Sequence, residues 1–293
     1  MLSILIPTYN YNIFPLVSEL NSQCLNAKIN FEIIVLDDFS TYFLEENKKI
    51  YQLENCQFHS NKKNLGRTQT RNSLAGLAKY KWILFLDADV IPVHKNFITT
   101  YISSINNETQ VIIGGYQYEN ILPHESKILR YKYGKSREEK LASVRNKKPY
   151  SSVFSGNLLI QKNVFQLCNY AGNHNFYGMD IYFSYQLFIR KINVLHIDNG
   201  IFHLGLEKND VFFEKSLQSV LSRTEILANK DKIEIVNNLL SKYKLLKKYH
   251  LTGVVNCFFK LSKSFLKRKI LNKNPSLFCF DLYRLGFICS LKK

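Results

Sequence analysis

Residues 81–92 read KWILFLDADVIP, an apolar run that ends in two carboxylates one residue apart. The uninterrupted apolar residues 82–86 predict a buried central β-strand, which would place Asp87 and Asp89 at the carboxyl edge of a sheet, where open α/β sheets bind ligands. Two neighbouring carboxylates are costly to desolvate without a compensating cation, and such oxygen ligands suit Mg²⁺ or Mn²⁺. The alternative is a solvated turn between strand and helix, in which Asp is common. The stretch by itself does not decide between the two.

The composition is typical of a folded globular protein. The chain has 293 residues, of which 46% are hydrophobic and 14% aromatic, so we expect a sizeable core and no extensive disorder. The six cysteines show neither a CxxC pair nor a Cys/His ligand spacing, which indicates reduced thiols in the cytoplasm. The first residues predict no signal peptide, and the sequence has no apolar run of the roughly 18 residues that would predict a transmembrane helix.

The positive charge is concentrated near the C-terminus. The formal net charge is +17, and residues 241–293 contribute +12 of it, from 13 Lys or Arg against the single acid Asp281. A basic segment of this kind can bind nucleic acid or an anionic membrane surface, and charge alone does not choose between them.

The first 95 residues alternate short apolar runs with longer mixed ones, a pattern that predicts strands alternating with helices. Such an alternation predicts right-handed crossovers and a parallel sheet, so the loops that follow the strands meet at one edge. The predicted strands cover residues 3–6, 31–36, 56–60 and 82–86, and the predicted helices cover residues 14–24, 43–53 and 68–80.

Four motifs in this region resemble those of family 2 glycosyltransferases, which have the GT-A fold. They occur in the family's order, each on the expected element, which makes chance an unsatisfactory explanation. The motifs are SILIPTYN at 3–10, EIIVLDDFS at 32–40, NLGRTQTRN at 64–72 and WILFLDADVIP at 82–92.

The resemblance implies an α/β protein of GT-A type, with a Rossmann-like, mostly parallel central sheet flanked by helices and a helical, basic C-terminal extension. It further implies three segments. Residues 1–95 would form the nucleotide-sugar-binding half, residues 96–210 the acceptor-binding and catalytic half of the same domain, and residues 211–293 the extension.

The resemblance also implies a donor site. In the family, the second acid after the second strand contacts the nucleobase, and the Asp-x-Asp pair handles the ribose and the metal; these roles fall on Asp38, Asp87 and Asp89. Arg71 would face the nucleotide or, alternatively, form an ion pair on a helix surface. Phe39 departs from the family's small residue and leaves the shape of that turn open. The expected donor-binding residues are Pro7, Thr8, Tyr9, Asp38, Arg71, Asp87 and Ala88.

The family's acceptor half is matched by SSVFSGNLLI, with Gly156 and Asn157 in a turn before a strand, and by NFYGMDIYFSYQL. In the second motif Asp180 begins an apolar helix, where Asp is also a good N-cap. Glycosyl transfer with inversion needs a carboxylate that takes the proton of the acceptor hydroxyl, and the resemblance assigns this general-base role to Asp180. Many members have Glu-Asp where this chain has Met179 before Asp180, so the role of the neighbouring acid is missing; Met179 is assigned to the acceptor side.

His203, in GIFHLG, matches the slot in which several GT-A relatives place a histidine that completes the metal shell. The resemblance therefore implies a Mn²⁺ or Mg²⁺ site formed by Asp89, Asp87 and His203. A lone His is usually structural, and His196, inside a strand pattern, is predicted to be a core residue. The basic segment at residues 124–150 is either a solvated helix or an acceptor-side segment.

The remaining chain is predicted to be helical, with packing helices at residues 211–227 and 232–246. The following helix has an apolar face and many basic residues. It either closes the core together with the last aromatic segment or anchors the protein on an anionic inner leaflet, and the concentration of charge favours the anchor. Its apolar face consists of Val254, Phe258, Leu261 and Phe265, and its basic residues are Lys260, Lys263, Lys267 and Arg268.

These features together predict a metal-dependent inverting glycosyltransferase that moves a sugar from a nucleotide-diphosphate donor, expected to be a UDP-sugar, to a hydroxyl of a glycan or lipid-linked acceptor in surface polysaccharide synthesis. The enzyme would be cytoplasmic, peripheral on the inner face of the membrane. Processive members carry Gln-x-x-Arg-Trp, and the only Trp here is Trp82 in the predicted strand, so a non-processive enzyme is expected.

Two alternatives to this function stay open. A nucleotidyltransferase also pairs carboxylates around Mg²⁺, but it should show a Gly-rich phosphate loop, which LIPTYNYN lacks. A non-catalytic membrane- or nucleic-acid-binding protein on a degenerate transferase fold would leave the acids at the strand ends unexplained, because they repel phosphate; nucleic acid is therefore not an expected partner.

Overall fold

The computed structural model describes residues 1–172 and 177–291. The chain divides into two compact units, and the strands all belong to unit 1 in the part that is described. Unit 1 comprises Met1–Gln117, Lys140–Asn175 and Gln186–Gly205, and unit 2 comprises Tyr118–Glu139, Phe176–Tyr185 and Leu206–Lys293.

The described residues contain ten strands and thirteen α-helices, each numbered in chain order. The strands are β1 (Leu2–Thr8), β2 (Phe31–Asp37), β3 (Cys56–Ser60), β4 (Trp82–Leu86), β5 (Val90–Pro92), β6 (Val111–Ile113), β7 (Tyr116–Gln117), β8 (Asn157–Gln161), β9 (Val194–His196) and β10 (Ile201–His203). The helices are α1 (Phe14–Asn26), α2 (Leu44–Lys48), α3 (Arg67–Leu77), α4 (Phe97–Ser103), α5 (Ile128–Tyr133), α6 (Ala142–Arg145), α7 (Lys162–Cys168), α8 (Asp180–Ile189), α9 (Asn209–Leu227), α10 (Ile233–Val236), α11 (Asn238–Lys248), α12 (Thr252–Ile270) and α13 (Leu277–Ser290).

Unit 1 is built on a central sheet. Within the described residues this sheet has seven strands in the order β3-β2-β1-β4-β8-β6-β9, and β8 runs antiparallel to both of its neighbours while the other pairs are parallel. The strands β1, β2 and β4 are almost entirely buried, as expected for parallel strands covered by helices on both faces. The prediction of an α/β protein with a mostly parallel central sheet and a helical C-terminal extension is confirmed.

The register of the sheet brings the ends of the strands together. Thr8 at the end of β1 lies opposite Asp37 at the end of β2, and β1 also pairs with β4 in parallel, with Leu5 opposite Phe85. The loops that begin at Tyr9, Asp38 and Asp87 therefore leave the sheet at the same edge.

A second sheet includes residues that follow the predicted strand 82–86, where the sequence predicts no strand. Val90–Pro92 is a strand, and it pairs antiparallel with β10, with His203 opposite Val90. β10 also pairs with β7. Strands of two and three residues with distant partners give no periodic signal in the sequence, because their stability comes from pairing rather than from local pattern.

Unit 2 is helical in its described part. Its core contains Phe213, Phe259 and Phe280 around Tyr283, whose ring centroid lies 5.0 Å from those of both Phe213 and Phe259. A Cβ at Gly286 would overlap the ring of Phe259, so glycine permits α12 and α13 to approach closely. No helix in residues 1–172 and 177–291 has the length and hydropathy needed to cross a membrane.

The prediction of one helix over residues 232–246 is wrong. The chain is helical on both sides of Asn237, but Asn237 itself is extended, with φ −133° and ψ 112°. Its side-chain oxygen accepts a hydrogen bond of 3.0 Å from the Leu240 amide and so caps the start of α11. Asn is a strong N-cap, and this interaction with the backbone competes with continued helix.

Candidate functional site

Asp87, directly after β4, is held by two arginines from α3. Arg67 Nη2 donates to both of its carboxylate oxygens at 2.9 and 3.1 Å, Arg71 donates through a shorter contact, and the Tyr116 hydroxyl donates at 3.1 Å. Burial alone would raise the pKa of Asp87, but Arg67 and Arg71, with smaller contributions from His203 and Tyr116, outweigh it and lower the pKa to about 2. Asp87 is therefore ionised and positioned at any physiological pH.

Arg71 is not a helix-surface residue, since it is only 4% exposed and pairs with a carboxylate across the sheet edge. Arg67, which the sequence analysis did not single out, shares the same partner. The two arginines are four residues apart, a spacing that places side chains on one face of a helix. That spacing was the available signal for Arg67, but it identifies a partner only when the position of Asp87 is known.

Gly156 provides the space that the Asp87 cluster occupies. A Cβ at Gly156 would overlap both Asp87 Oδ2 and the Tyr116 hydroxyl, and the carbonyl of Gly156 accepts from the Asp87 amide at 3.2 Å. Gly156 therefore lies beside the carboxylate predicted to bind the donor, in addition to the acceptor-side role that was expected for it.

Asp89 lies close to His203. The atoms Asp89 Oδ2 and His203 Nε2 are 3.7 Å apart, with 30% and 11% of the respective side chains exposed. The pairing of β10 with β5 brings them together, and the Leu204 amide donates to the Asp89 carbonyl at 2.8 Å. A Cβ at Gly205 would overlap the Asp89 carboxylate, so a small residue is required there.

This pair fits a divalent cation. Ligand atoms about 2.1 Å from one ion can be at most about 4.2 Å apart, so the 3.7 Å separation of Asp89 Oδ2 and His203 Nε2 is compatible with a shared ion. Oxygen and imidazole nitrogen ligands suit Mn²⁺ and Mg²⁺. The described residues contain no group of three His, Cys, Asp or Glu placed to hold a metal, and Asp87, the third predicted ligand, is instead engaged by arginines. An ion held by Asp89 and His203 alone would keep coordination positions open for oxygen atoms of a bound substrate.

The acids after β2 organise turns. Asp38 accepts hydrogen bonds from the Leu65 and Gly66 amides, both 2.8 Å, and from the Asn61 side chain at 2.9 Å. Gly66 has φ +79° and immediately precedes α3, so Asp38 positions the start of the helix that carries the two arginines. Asp37 accepts from the amide and the hydroxyl of Ser40. The predicted contact between Asp38 and a nucleobase stays a prediction.

The loop that follows Asp38 contains the residue that departs from the family pattern. Phe39 has φ +71°, a left-handed conformation that strains a residue with a Cβ. Its side chain is 54% exposed.

The residues predicted to surround the base lie at the end of β1 and close to this loop. Thr8 is buried and its carbonyl accepts from the Asp38 amide at 2.8 Å, while the Tyr9 side chain is 56% exposed. Pro7 pairs with Leu36 within the sheet. Ala88 lies between the two carboxylates after β4 and is partly buried.

Asn157 is a core residue. Its side-chain nitrogen donates to the carbonyls of Gly115 and Asn199 at 2.8 and 3.0 Å, and its side-chain oxygen accepts from the Tyr101 hydroxyl at 2.6 Å. With no exposed surface, this amide links β8 to two neighbouring turns. The acceptor-side role predicted for it stays a prediction.

Asp180 belongs to unit 2 and is the first residue of α8, as predicted. Gly178, two residues before it, has φ +85°, and a Cβ there would overlap the hydroxyl of Ser219 on α9. The start of α8 is therefore packed against α9. Met179, which lies between Gly178 and Asp180 in the sequence, is partly buried. The general-base role of Asp180 stays a prediction.

His196 is 2% exposed, in agreement with its predicted place in the core. Its Nδ1 lies 2.9 Å from Arg145 Nη1 and its Nε2 lies 2.8 Å from the Pro149 carbonyl. Because arginine can only donate, the ring accepts at Nδ1 and donates from Nε2, which is the neutral form. Burial, with a further contribution from Arg145, lowers the pKa of His196 to about 4.

Comparison with known proteins identifies a sequence family. A model of the family described as "Glycosyl transferase family 2" matches residues 3–165, which is more than half of the chain. No curated protein sequence matches the chain significantly.

Solved structures share the fold at low sequence identity. Residues 1–349 of S. aureus TarS, in complex with UDP-GlcNAc, match with a TM-score of 0.55 and 17% identity over 97% of this chain and 90% of that one. The larger TarS chain has a TM-score of 0.52 and 16% identity over 78% of this chain, which spans only 40% of that longer chain. These neighbours confirm the expected GT-A type fold.

Two further structures extend the comparison. The mannosyltransferase PcManGT from Pyrobaculum calidifontis, in complex with GDP-Man and Mn²⁺, has a TM-score of 0.59 and 11% identity over 98% of this chain and 85% of that one. Glucosyl-3-phosphoglycerate synthase from Mycobacterium tuberculosis, in complex with Mn²⁺, UDP and glucosyl-3-phosphoglycerate, has a TM-score of 0.53 and 16% identity over 79% of this chain and 81% of that one.

Proposed function

The chain belongs to glycosyl transferase family 2 and is a glycosyltransferase, and from this premise we propose that it is a metal-dependent, inverting enzyme with a nucleotide-diphosphate sugar as donor. The acceptor is a hydroxyl of a glycan or lipid-linked molecule, and the enzyme acts in surface polysaccharide synthesis. The observation that carries the proposal is the 3.7 Å distance between Asp89 Oδ2 and His203 Nε2. Asp87, the other carboxylate that follows β4, is held by two arginines.

The donor is proposed to be a UDP-sugar. Solved neighbours were crystallised with UDP-GlcNAc, with UDP, and with GDP-Man, so the fold supports a nucleotide-sugar donor, and two of the three proteins carry UDP or a UDP-sugar. Asp38 with the exposed Tyr9 is the proposed base-binding region, since both follow strands that end at the same edge of the sheet as the strand before Asp87.

The mechanism assigns separate work to the charged groups. Asp89 and His203 would hold Mn²⁺ or Mg²⁺, which when bound would stabilise the negative charge that grows on the departing diphosphate. Asp87, ionised and held by Arg67 and Arg71, presents its carboxylate in a fixed orientation for donor hydroxyls. Asp180 takes the proton of the acceptor hydroxyl as the anomeric carbon is attacked.

The test is a screen of UDP- and GDP-sugars in Mn²⁺ with and without chelator, read by nucleotide release and by thermal shift. One donor should stabilise the protein in Mn²⁺, and chelator should remove the effect. Asp89→Asn should lower the rate of nucleotide release on the order of 10²–10³-fold, as expected for loss of a group that stabilises developing charge. The exposed acid Glu108 of the same unit provides the control, Glu108→Gln. Metal-independent binding, or near-normal turnover by Asp89→Asn, would reject the proposal.

We also propose that α12 binds an anionic membrane surface. One face of α12 contributes Phe259, Leu266 and Ile270 to the core of unit 2. Its second apolar face is exposed and adjoins the basic residues of the same helix, a combination that suits the interface of an anionic bilayer. The exposed apolar residues are Val254 (51%), Phe258 (69%), Leu261 (81%) and Phe265 (50%).

Vesicle sedimentation tests this surface. The double variant Phe258→Ser, Leu261→Ser should bind anionic vesicles at least about tenfold more weakly than the wild type, because it removes the two most exposed apolar side chains of α12. The control variant Ile121→Ser, Leu122→Ser changes equally exposed apolar residues of unit 2 that lie outside α12. Equal vesicle binding by the two double variants would contradict the proposal. Equal binding of the wild type to anionic and to neutral vesicles would contradict it as well.

A further inference from the structure

Unit 2 contains a group of buried hydrogen-bond donors that the proposed chemistry has not used. Ser219 and Arg223 lie four residues apart on one face of α9, and Arg284 lies on α13. Ser219 is 3% and Arg284 is 9% exposed. Among the described residues, Ser219 Oγ, Arg223 Nε and Arg284 Nε are buried and have no hydrogen-bond partner. Leaving such groups unsatisfied is costly, more so when they are charged, so a partner is expected in the functional state.

The two guanidinium groups act on each other. Burial lowers the pKa of Arg223, and the charge of Arg284 lowers it further, to about 10, although Tyr133, Asp180 and Tyr177 oppose the change. Arg284 Nη1 lies 3.8 Å from the Asp281 carboxylate, but Arg137 takes the same carboxylate at 2.7 Å. Two like charges in a poorly solvated place attract an anion and repel a metal cation.

Packing holds α9 against α13 and, at Ser219, against the start of α8. The ring of Phe213 on α9 lies 5.0 Å from that of Tyr283, which directly precedes Arg284 on α13. Gly178 leaves no space for a Cβ beside the hydroxyl of Ser219, and Asp180 follows two residues later. Asp180 is also the carboxylate that acts on Arg223. The unpartnered donors therefore lie near the proposed general base and in the same unit.

We propose that Ser219, Arg223 and Arg284 form a subsite for an anionic group of the acceptor, a phosphate in preference to a carboxylate. This inference rests on the proposed function, because it assigns the subsite to the molecule that Asp180 deprotonates. The donor's diphosphate already has a proposed partner in the ion held by Asp89 and His203. Guanidinium groups bind phosphate through several N–H donors, and two of them favour a dianion over acetate-like monoanions. The acceptor substrate is then a phosphorylated molecule rather than a neutral sugar.

The subsite is tested by direct binding of inorganic phosphate, with UDP present to occupy the donor site and with sodium chloride used to equalise ionic strength. Phosphate should raise the melting temperature of the wild type by a few degrees, and equimolar acetate should have a smaller effect. Arg223→Gln should weaken phosphate binding at least about tenfold in calorimetric titration. The control, Arg190→Gln, removes an exposed arginine of unit 1 and should bind as the wild type does.

Two results would overturn the subsite: phosphate binding by Arg223→Gln that equals that of Arg190→Gln, or no phosphate-dependent stabilisation of the wild type. Arg284→Lys provides a second variant that keeps the charge but loses the guanidinium fork, and it should bind phosphate more weakly than the wild type. Far-UV circular dichroism establishes that each variant is folded.

Asp180→Asn supplies a measurement that a merely structural role would not move. Removing the negative charge beside Arg223 should tighten phosphate binding a few-fold, whereas weaker binding would argue against the subsite. UDP-sugar binding is measured on the same samples by thermal shift. A wild type that binds phosphate but no nucleotide sugar would reject the proposed function and leave the anion subsite standing, and the reverse result would reject the subsite alone.

Discussion

Arg145 of unit 1 has different surroundings from Arg223 and Arg284 of unit 2. In unit 1, Arg145 is 2% exposed and all of its guanidinium nitrogens donate to the chain. In unit 2, Arg223 and Arg284 each leave a buried Nε without a partner in the described structure. The acceptors of Arg145 are the carbonyls of Ile113, Gly114, Lys140 and Ile197 and the Nδ1 of His196.

The difference separates a structural charge from one that is available to a ligand. The bonds of Arg145 hold residues 140–145 to the ends of β6 and β9, so its desolvation is compensated within the fold. The desolvation of Arg223 and Arg284 is only partly compensated within the described part of the fold. Incomplete compensation is expected of a binding site whose ligand is not bound. Variants in both units can break or sharpen this comparison.

The largest effect is expected from Asp180, the carboxylate beside the incompletely satisfied arginines. Asp180→Asn should lower sugar transfer by about 10²–10⁴-fold, the usual contribution of a general base, while the protein stays folded. Nucleotide release in the presence of acceptor measures the change. The control is Asp231→Asn, an exposed acid of the same unit. If the rate of sugar transfer fell equally in both variants, or in neither, Asp180 would not be the general base.

Arg145→Leu should destabilise the protein by about 3–5 kcal/mol, because it removes a buried donor from four carbonyls and from the Nδ1 of His196. In the described part of the chain, only the Ile113 and Gly114 carbonyls among these acceptors keep a backbone donor. Urea unfolding measures the loss. Arg190→Leu, at an exposed arginine of unit 1, should change the free energy of unfolding by less than about 0.5 kcal/mol. If the two variants were equally stable, Arg145 would not be the structural charge described above.

His196, the partner of Arg145, predicts a dependence of stability on pH. Its pKa is about 4 in the folded protein and about 6.5 in the unfolded chain, so the unfolded state binds more protons between those values. Stability should therefore fall as the pH drops from about 6.5 towards 4, by at most about 3 kcal/mol. Unfolding in urea at a series of pH values measures this slope, and His196→Gln should reduce it. An unchanged slope in the variant would assign the dependence to other groups.

The smallest effect is expected at Arg223. Arg223→Gln should change the free energy of unfolding by less than about 1 kcal/mol, because Arg223 Nε has no hydrogen-bond partner to lose among the described residues and the substitution relieves repulsion from Arg284. Urea unfolding beside Arg145→Leu provides the direct comparison. A loss as large as that of Arg145→Leu would show that Arg223 is structural, and its contrast with Arg145 would disappear.

Much of the fold could be predicted from local pattern. The strands Cys56–Ser60 and Trp82–Leu86 have the predicted bounds, and α8 begins at Asp180 as predicted. The apolar run of Trp82–Leu86, bounded by polar residues, is a reliable signal for a buried strand. The short strands of the second sheet and the break at Asn237 could not be predicted in this way. Both depend on hydrogen bonds, which the spacing of hydrophobic residues does not indicate.

The sequence by itself determined the order of elements, the family and the edge of the sheet at which Asp38, Asp87 and Asp89 lie, because these follow from local apolar pattern and from motifs on known elements. Only the tertiary structure decided the partner of each charge. Asp87 pairs with Arg67 and Arg71, and Asp38 positions the turn before α3.

The same holds for the remaining charged and polar groups of the two units. Asp89 meets His203 through a strand pairing across more than a hundred residues, and Arg223 and Arg284 lack full partners. The physical reason is that desolvation and hydrogen bonding depend on distance in space and on burial, and residues far apart in the chain acquire both only when it folds.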